Sequence, residues 1–249
     1  MTADGTHGTG ATAGPGDPVA LSGRPVLVTG AGGGLGSRVA RGLAAAGAPL
    51  TLVGRDADRL APVAEETGGS VAVCDLTRPD GPAEAVRSAL DVHGALAGIV
   101  HAAGVVAFGP VTDVDDDTLD ELFLINALVP VRLLRAAADP LRAAAGAHGD
   151  AFLVTFSGVV AERPQKGMAA YSASKAASWA LARAASDELR RDKVRVLDVR
   201  PPHTETGLAT RPVAGKAPPL AEGLSPDDVA ARVVEAVLGG ERDVPTSAF

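Results

Sequence analysis

The chain has 249 residues, 46% hydrophobic and 21% charged, enough for one compact domain with a sizeable core. A net charge of -7 argues against a nucleic-acid or anionic-membrane partner, since both need basic patches. One cysteine, Cys74, excludes an internal disulfide and fits a reducing, cytoplasmic setting, and no apolar run is long enough to span a bilayer.

Residues 1–21 are rich in Gly, Thr, Ala and Pro, lack the order of a signal peptide, and are expected to form a disordered arm. Residues 22–249 are expected to form a single domain. "PVLVTG" (25–30) reads as a buried strand and "LGSRVARGLAAAG" (35–47) as a helix closed by Gly47. "PLTLVG" (49–54) is a second strand, and Asp56 can cap the helix that follows it. "SVAVCDL" (70–76), "PAEAVRSALDVHG" (82–94) and "LAGIVHAAG" (96–104) read as strand, helix and strand. The Asp115–Asp117 cluster opens a long apolar helix to about Ala145, interrupted at Pro130 and Pro140. "AFLVTFS" (151–157) is a fifth strand, residues 168–191 a helix, and "VRVLDVRP" (194–201) a sixth strand. Residues 201–224 read as a loop or lid and 226–240 as a last helix. Such alternation with apolar strands predicts an α/β fold: one doubly wound parallel sheet with helices on both faces.

"TGAGGGLG" (29–36) falls where the first strand meets the first helix. Glycines there let the backbone turn sharply and approach a pyrophosphate, which the helix N-terminus binds through its free N–H groups. Gly30, Gly32, Gly33, Gly34, Leu35 and Gly36 are the residues of this turn. At the end of the second strand an NAD site usually offers a carboxylate, but this chain has Arg55, whose guanidinium suits a 2′-phosphate. Asp56 is the rival and is equally a helix cap. The expected cofactor is therefore NADP(H) rather than NAD(H).

The single tyrosine, Tyr171, stands four residues before Lys175 in "YSASK", on one helical face. A phenol with a pKa near 10 is a poor base at neutral pH, and a nearby ammonium lowers it. Asn126 shares a face with Leu122, Val129 and Leu133. Pro130 has no N–H, so the Asn126 carbonyl loses its helical donor and is free to hold a water linked to Lys175.

These motifs together closely resemble the classical short-chain dehydrogenase/reductase family over about residues 22–240: "TGAGGGLG", "CDLT", "HAAG", the Asn126 helix, the serine-bearing strand, "YSASK" and "RPPHTET". The resemblance implies a Rossmann fold, a nicotinamide cofactor and hydride transfer between an alcohol and a carbonyl. It makes Tyr171 the general acid/base and Lys175 both the ribose ligand and the group that tunes Tyr171. It puts Asn126 in a proton relay, Asp75 and Leu76 in the adenine pocket, and Ala102, Ala103, Gly104, Pro201 and Thr206 beside the cofactor. It also implies a homodimer or homotetramer built on the two long helices, where Trp179 is an apolar residue beyond the needs of one core face.

The chain departs from the family pattern in places. His101 and Ala102 stand where asparagines are common, and His101 is expected to be structural. Pro202 replaces a usual glycine, which would let His203 and Glu205 reach the substrate pocket. The family's active serine usually lies thirteen residues before its tyrosine, which here is Gly158, not Ser157. Either the intervening loop carries one extra residue and Ser157 reaches the substrate oxygen, which is the reading preferred, or that hydroxyl is missing. The sequence thus points to a reductase or dehydrogenase for a small or medium, largely apolar substrate and suggests no metal. A non-redox enzyme of the same fold, or a nucleotide-binding sensor, is the alternative.

Overall fold

The computed structural model describes residues 20–249, so nearly all of the expected arm lies outside the described residues. Leu21, assigned to the arm by composition, belongs instead to the core at 1% exposure. Its carbonyl accepts from the Arg24 N–H and closes the turn that leads into the first strand.

Seven parallel strands form one sheet in the order β3-β2-β1-β4-β5-β6-β7. They are β1 (Val26–Thr29), β2 (Leu50–Gly54), β3 (Ser70–Val73), β4 (Gly98–His101), β5 (Ala151–Phe156), β6 (Val194–Val199) and β7 (Asp243–Val244). The helices are α1 (Gly36–Ala45), α2 (Ala57–Thr67), α3 (Gly81–His93), α4 (Asp116–Phe123), α5 (Val129–His148), α6 (Val159–Glu162), α7 (Ala169–Glu188) and α8 (Pro226–Leu238). Two cores sandwich the sheet. Leu27, Ile99, Leu153 and Val196 meet α3, α5 and α7, while Val28, Val100, Phe152 and Leu197 meet α1, α2 and α8. The doubly wound arrangement follows from strands apolar on both faces. No helix among the described residues is long and apolar enough to cross a membrane.

Three expected elements differ in detail. β3 is an edge strand, with Val71 and Val73 exposed, and it stops at Val73 because Asp75 turns the chain. The Asp75 carboxylate accepts from the backbone N–H and the hydroxyl of Thr77, which is a turn and not a strand. The long helix is split: Asp115 caps α4, a single π-helical stretch covers Leu124–Leu128, and Pro130 enters the first turn of α5, where a missing N–H is tolerated. Pro140, by contrast, sits inside α5 without ending it. The seventh strand has two residues, paired with Asp198 and Val199.

β4 and β5 are pressed together at Gly98, which lies beside Phe152 in register. A Cβ at Gly98 would collide with the Phe152 ring, itself fully buried. Gly98→Ala is expected to cost about 1–3 kcal/mol through overpacking, read as a lower urea midpoint at an unchanged slope.

Candidate active site

The strand order reverses between β1 and β4, and loops leaving their carboxyl ends diverge there to open a crevice. The glycine-rich turn lines one side. A Cβ on Gly30 would lie 2.6 Å from the Ala103 nitrogen, and one on Gly36 would strike the Gly30 carbonyl. The Gly33 N–H closes the turn on the Gly30 carbonyl at 2.8 Å. These contacts explain the glycines directly: the turn is folded on itself and against the β4 loop.

α2, α4 and α8 are capped by the side chains of Asp56, Asp115 and Ser225, whereas α1, like α5 and α7, has no side-chain cap and no acid in its first turn. The Ser37, Arg38 and Val39 N–H groups turn back onto the Gly33 and Leu35 carbonyls, and with no carboxylate over it this glycine-led helix start suits an anion such as a dinucleotide pyrophosphate.

Arg55 is exposed at the end of β2, and its charge helps to hold the Asp75 carboxyl below its ordinary range, although the Thr77 N–H does more. Asp56 is a cap, accepting from Asp58 and Arg59 N–H groups at 3.0 and 3.3 Å. Arg59 escaped the sequence reading. Its guanidinium reaches back to the Gly32 carbonyl at 2.9 Å and lies over the glycine-rich turn. The signal was there, one helical turn after Arg55. Leu76 is buried in the core beside Asp75.

Across the crevice, α7 presents Tyr171 and Lys175. Lys175 is 7% exposed, and its Nζ donates to the Phe156 carbonyl at 2.7 Å and sits 5.9 Å from the Tyr171 ring centroid. A Cβ on Gly104 would lie 3.5 Å from that Nζ and 3.2 Å from Asn126 Oδ1, so the end of the β4 loop, the π-helical stretch and α7 share one corner. Asn126 uses its whole side chain there. Oδ1 accepts from Val105 N–H at 3.1 Å, and Nδ2 donates to the Val105 carbonyl and to Ser174 Oγ, both at 3.0 Å. Ser174 in turn donates to the Tyr171 carbonyl at 2.8 Å. Ser174 thus ties Asn126 to the turn of α7 that carries Tyr171.

The electrostatics correct one expectation. Burial pushes the Tyr171 phenol up to about 12, and Lys175 does not pull it down. Lys175 itself is lowered to about 8 by burial, against the opposing pull of Asp198. The ammonium spends its bond on a main-chain carbonyl, not on the phenol, and the phenol is neutral at physiological pH.

Ser157 is also corrected. It is fully buried, and its hydroxyl donates to Asp198 Oδ2 at 2.5 Å on the neighbouring strand. Strand alternation turns it into the sheet beside Thr155, which donates to the other oxygen of the same carboxylate. Gly158 takes the next position, with φ 73° and ψ 169°, a conformation nearly confined to glycine. A Cβ there would meet nothing nearer than the Pro201 carbonyl at 3.8 Å.

His101 is structural, as expected. Its Nε2 lies 3.3 Å from the Ile125 carbonyl, which can only accept, so Nε2 carries the proton and Nδ1 accepts from the Thr29 hydroxyl at 2.8 Å. The 201–224 segment closes over the crevice. Thr206 abuts Gly34, the Val213 N–H bonds Val106, and the Phe108 N–H bonds Ala214. The His203 and Glu205 side chains pair at 3.2 Å within this segment, and Glu205 accepts from the Gly223 N–H. Trp179 is not spare apolar surface either, since the Arg200 guanidinium lies 5.3 Å over its ring.

Residues 24–216 match the family model described as short chain dehydrogenase. The chain belongs to that family. The family assignment makes the protein an NAD(P)-dependent dehydrogenase/reductase. Among its relatives, an uncharacterized oxidoreductase of Staphylococcus epidermidis is 28% identical over 73% of this chain and 78% of its own. A dehydrogenase/reductase SDR family protein 7-like of Anopheles gambiae is 27% identical over 90% of this chain and 75% of its own. Among solved structures, a 3-ketoacyl-(acyl-carrier-protein) reductase from Brucella melitensis complexed with NADH superposes with a TM-score of 0.82 at 25% identity, covering 91% of this chain and 97% of that one. A metagenomic short-chain oxidoreductase in complex with NADP gives 0.75 at 32% identity with the same coverages.

Burial drives the His101 pKa down to about 4, helped by the Lys175 charge and opposed by the Ile125 carbonyl. A folded-state pKa below the unfolded 6.5 means that the unfolded chain binds the proton first. Stability from this group is full above pH 6.5, falls as pH drops toward 4 and then levels, a loss on the order of 3 kcal/mol. Urea unfolding between pH 7.5 and 4 measures it, and His101→Asn is expected to flatten that slope.

Proposed function

We propose that the protein is an NADP(H)-dependent reductase that converts a small or medium, largely apolar carbonyl compound to its alcohol. The observation that carries this reading is the corner formed by Tyr171, Lys175, Asn126 and Gly104, facing an uncapped glycine-rich helix start across the sheet's switch point. A nicotinamide dinucleotide bound there supplies the hydride. Tyr171 supplies the proton, and its pKa of about 12 favours the neutral donor that carbonyl reduction needs. Lys175, freed from the Phe156 carbonyl, would donate to the ribose hydroxyls and carry positive charge toward the oxygen as the proton leaves Tyr171. With Asn126's side chain held by Val105 and Ser174, its main-chain carbonyl is the part left to order a water behind Lys175.

Arg55 and Arg59, at the end of β2 and over the glycine turn, favour a 2′-phosphate over a free hydroxyl. The apolar segment after β4, with Val105, Val106 and Phe108, supports an apolar substrate. Leu119, Leu128 and Val131 of the α4–α5 segment are exposed, which supports a homodimer or homotetramer through this face. Gly158 favours one second reading. Without a serine hydroxyl, carbonyl polarisation is weaker by on the order of a few kcal/mol, and a non-redox reaction in the same pocket becomes competitive.

NADPH oxidation across a panel of ketones and aldehydes tests the proposal; tight NADPH binding with no turnover on any of them would sink it. Tyr171→Phe is expected to lower kcat by roughly a hundredfold or more while leaving NADPH affinity near that of the wild type, as isothermal titration would show. Arg55→Ala is expected to raise the KM for NADPH about tenfold or more and leave that for NADH nearly unchanged. Equal effects on the two cofactors would remove Arg55 from phosphate recognition.

A further inference from the structure

β6 carries a carboxylate where a strand buried on both faces should be apolar. Asp198 is 2% exposed. It receives Thr155 Oγ1 at 2.8 Å on Oδ1, and Ser157 Oγ at 2.5 Å and Arg200 NH1 at 2.9 Å on Oδ2. Thr155 and Ser157 flank Phe156, whose carbonyl receives the Lys175 ammonium at 2.7 Å. The buried anion and the site's buried cation are therefore anchored on the same three residues, 155–157, at the end of β5.

Charge balance within β6 does not explain Asp198. Arg200 already pairs with Glu162 and makes two bonds to Asp243, at 2.7 and 2.8 Å. Asp198 is a third carboxylate for one guanidinium. Arg183 and Asp187 of α7, Arg190 just beyond it and Arg242 before β7 line a small surface cleft that reaches Asp198, and Arg190 is paired with Asp187. On the Lys175 side, His101 of β4 is a neutral imidazole and Tyr171 a neutral phenol.

We propose that Asp198 is a positioning residue of the reductase site. Its carboxylate draws the Ser157 hydroxyl into the sheet, leaving the cleft position to Gly158, and supplies the buried negative charge that holds Lys175 as an ammonium. The proposal rests on the reductase reading for its effect on turnover, but not for its effect on Lys175. The electrostatics agree: burial pulls Lys175 down, and Asp198 is the group that opposes it. Burial also raises Asp198 itself, and the Ser157, Thr155 and Arg200 donors hold it down. Removing its charge leaves Lys175 opposed by nothing but solvent exclusion, and the ammonium is lost at lower pH.

The test is the pH profile of Asp198→Asn, which keeps the shape and an acceptor oxygen but removes the charge. The basic limb of kcat/KM with NADPH and a reducible ketone is expected to move to lower pH. Activity should fall on the order of fivefold at pH 8 and stay near wild type at pH 6. NADPH affinity, followed by its fluorescence across the same pH range, is expected to weaken at lower pH than in the wild type. A folded variant whose turnover and affinity profiles both overlay those of the wild type would overturn the proposal. Should Asp198→Asn fail to fold, the double variant Thr155→Val/Ser157→Ala takes its place. It strips the carboxylate of two donors, favours its protonation, and is expected to move both profiles the same way; unmoved profiles in that folded variant overturn the proposal equally. A wild-type protein that binds NADPH but reduces no carbonyl defeats the reductase reading, and the affinity profile then decides Asp198 alone.

Discussion

Between β1 and β4 the sheet changes direction, and the chain leaving each strand must turn to opposite faces. Everything else in the site depends on the crevice this creates. The glycine-rich turn has to fold within a few ångströms of the β4 loop and of Thr206, and side chains at Gly30 or Gly36 would block the first approach and one at Gly34 the second. α1 is then delivered to the crevice with no side-chain cap and no acid in its first turn. On the opposite wall, the β4 loop meets the π-helical stretch and α7, so that Gly104, Asn126 and Lys175 fall into contact although 71 residues separate the first from the last.

The second constraint is the cost of burying polar groups. The described residues meet it with specific partners. His101 bridges β1 and the π-helical stretch as a neutral ring. Asn126 spends every side-chain bond on Val105 and Ser174. Lys175 and Asp198 are charged groups held by consecutive residues at the end of β5. Unpaired, each would cost several kcal/mol, so these partners fix the positions of the site's side chains as firmly as packing does. The same bonding decides the serine question, because a buried carboxylate is a stronger acceptor for Ser157 than open solvent facing a cleft.

The apolar periods, the glycine turn and the caps were legible in the sequence because they are local. A strand buried on both faces must read as a continuous apolar run, and Asp56 and Asp115 cap helices through bonds to residues two or three positions on. The Tyr171–Lys175 pair was legible because one helical turn fixes its geometry. What failed was longer in range or finer in register. Leu21 looked like tail because composition does not show that it packs under β1. β3 looked fully buried because its edge position is set by the order of the whole sheet.

By itself, then, the sequence determined a parallel α/β sheet, a glycine-rich turn between its first strand and first helix, and a tyrosine and a lysine one turn apart on one helix. Only the tertiary structure decided that Ser157 faces Asp198, that His203 and Glu205 brace the lid, and that Lys175 is buried without acidifying Tyr171. The physical reason is one of distance along the chain. Ser157 and Asp198 lie 41 residues apart, and nothing in either neighbourhood reports that β5 and β6 will place a hydroxyl beside a buried carboxylate. A one-residue change in register reverses the face on which a strand's side chain emerges. Whether the chain offers a serine or a glycine to the cleft was therefore written in the pairing of two strands, not in the spacing to a tyrosine.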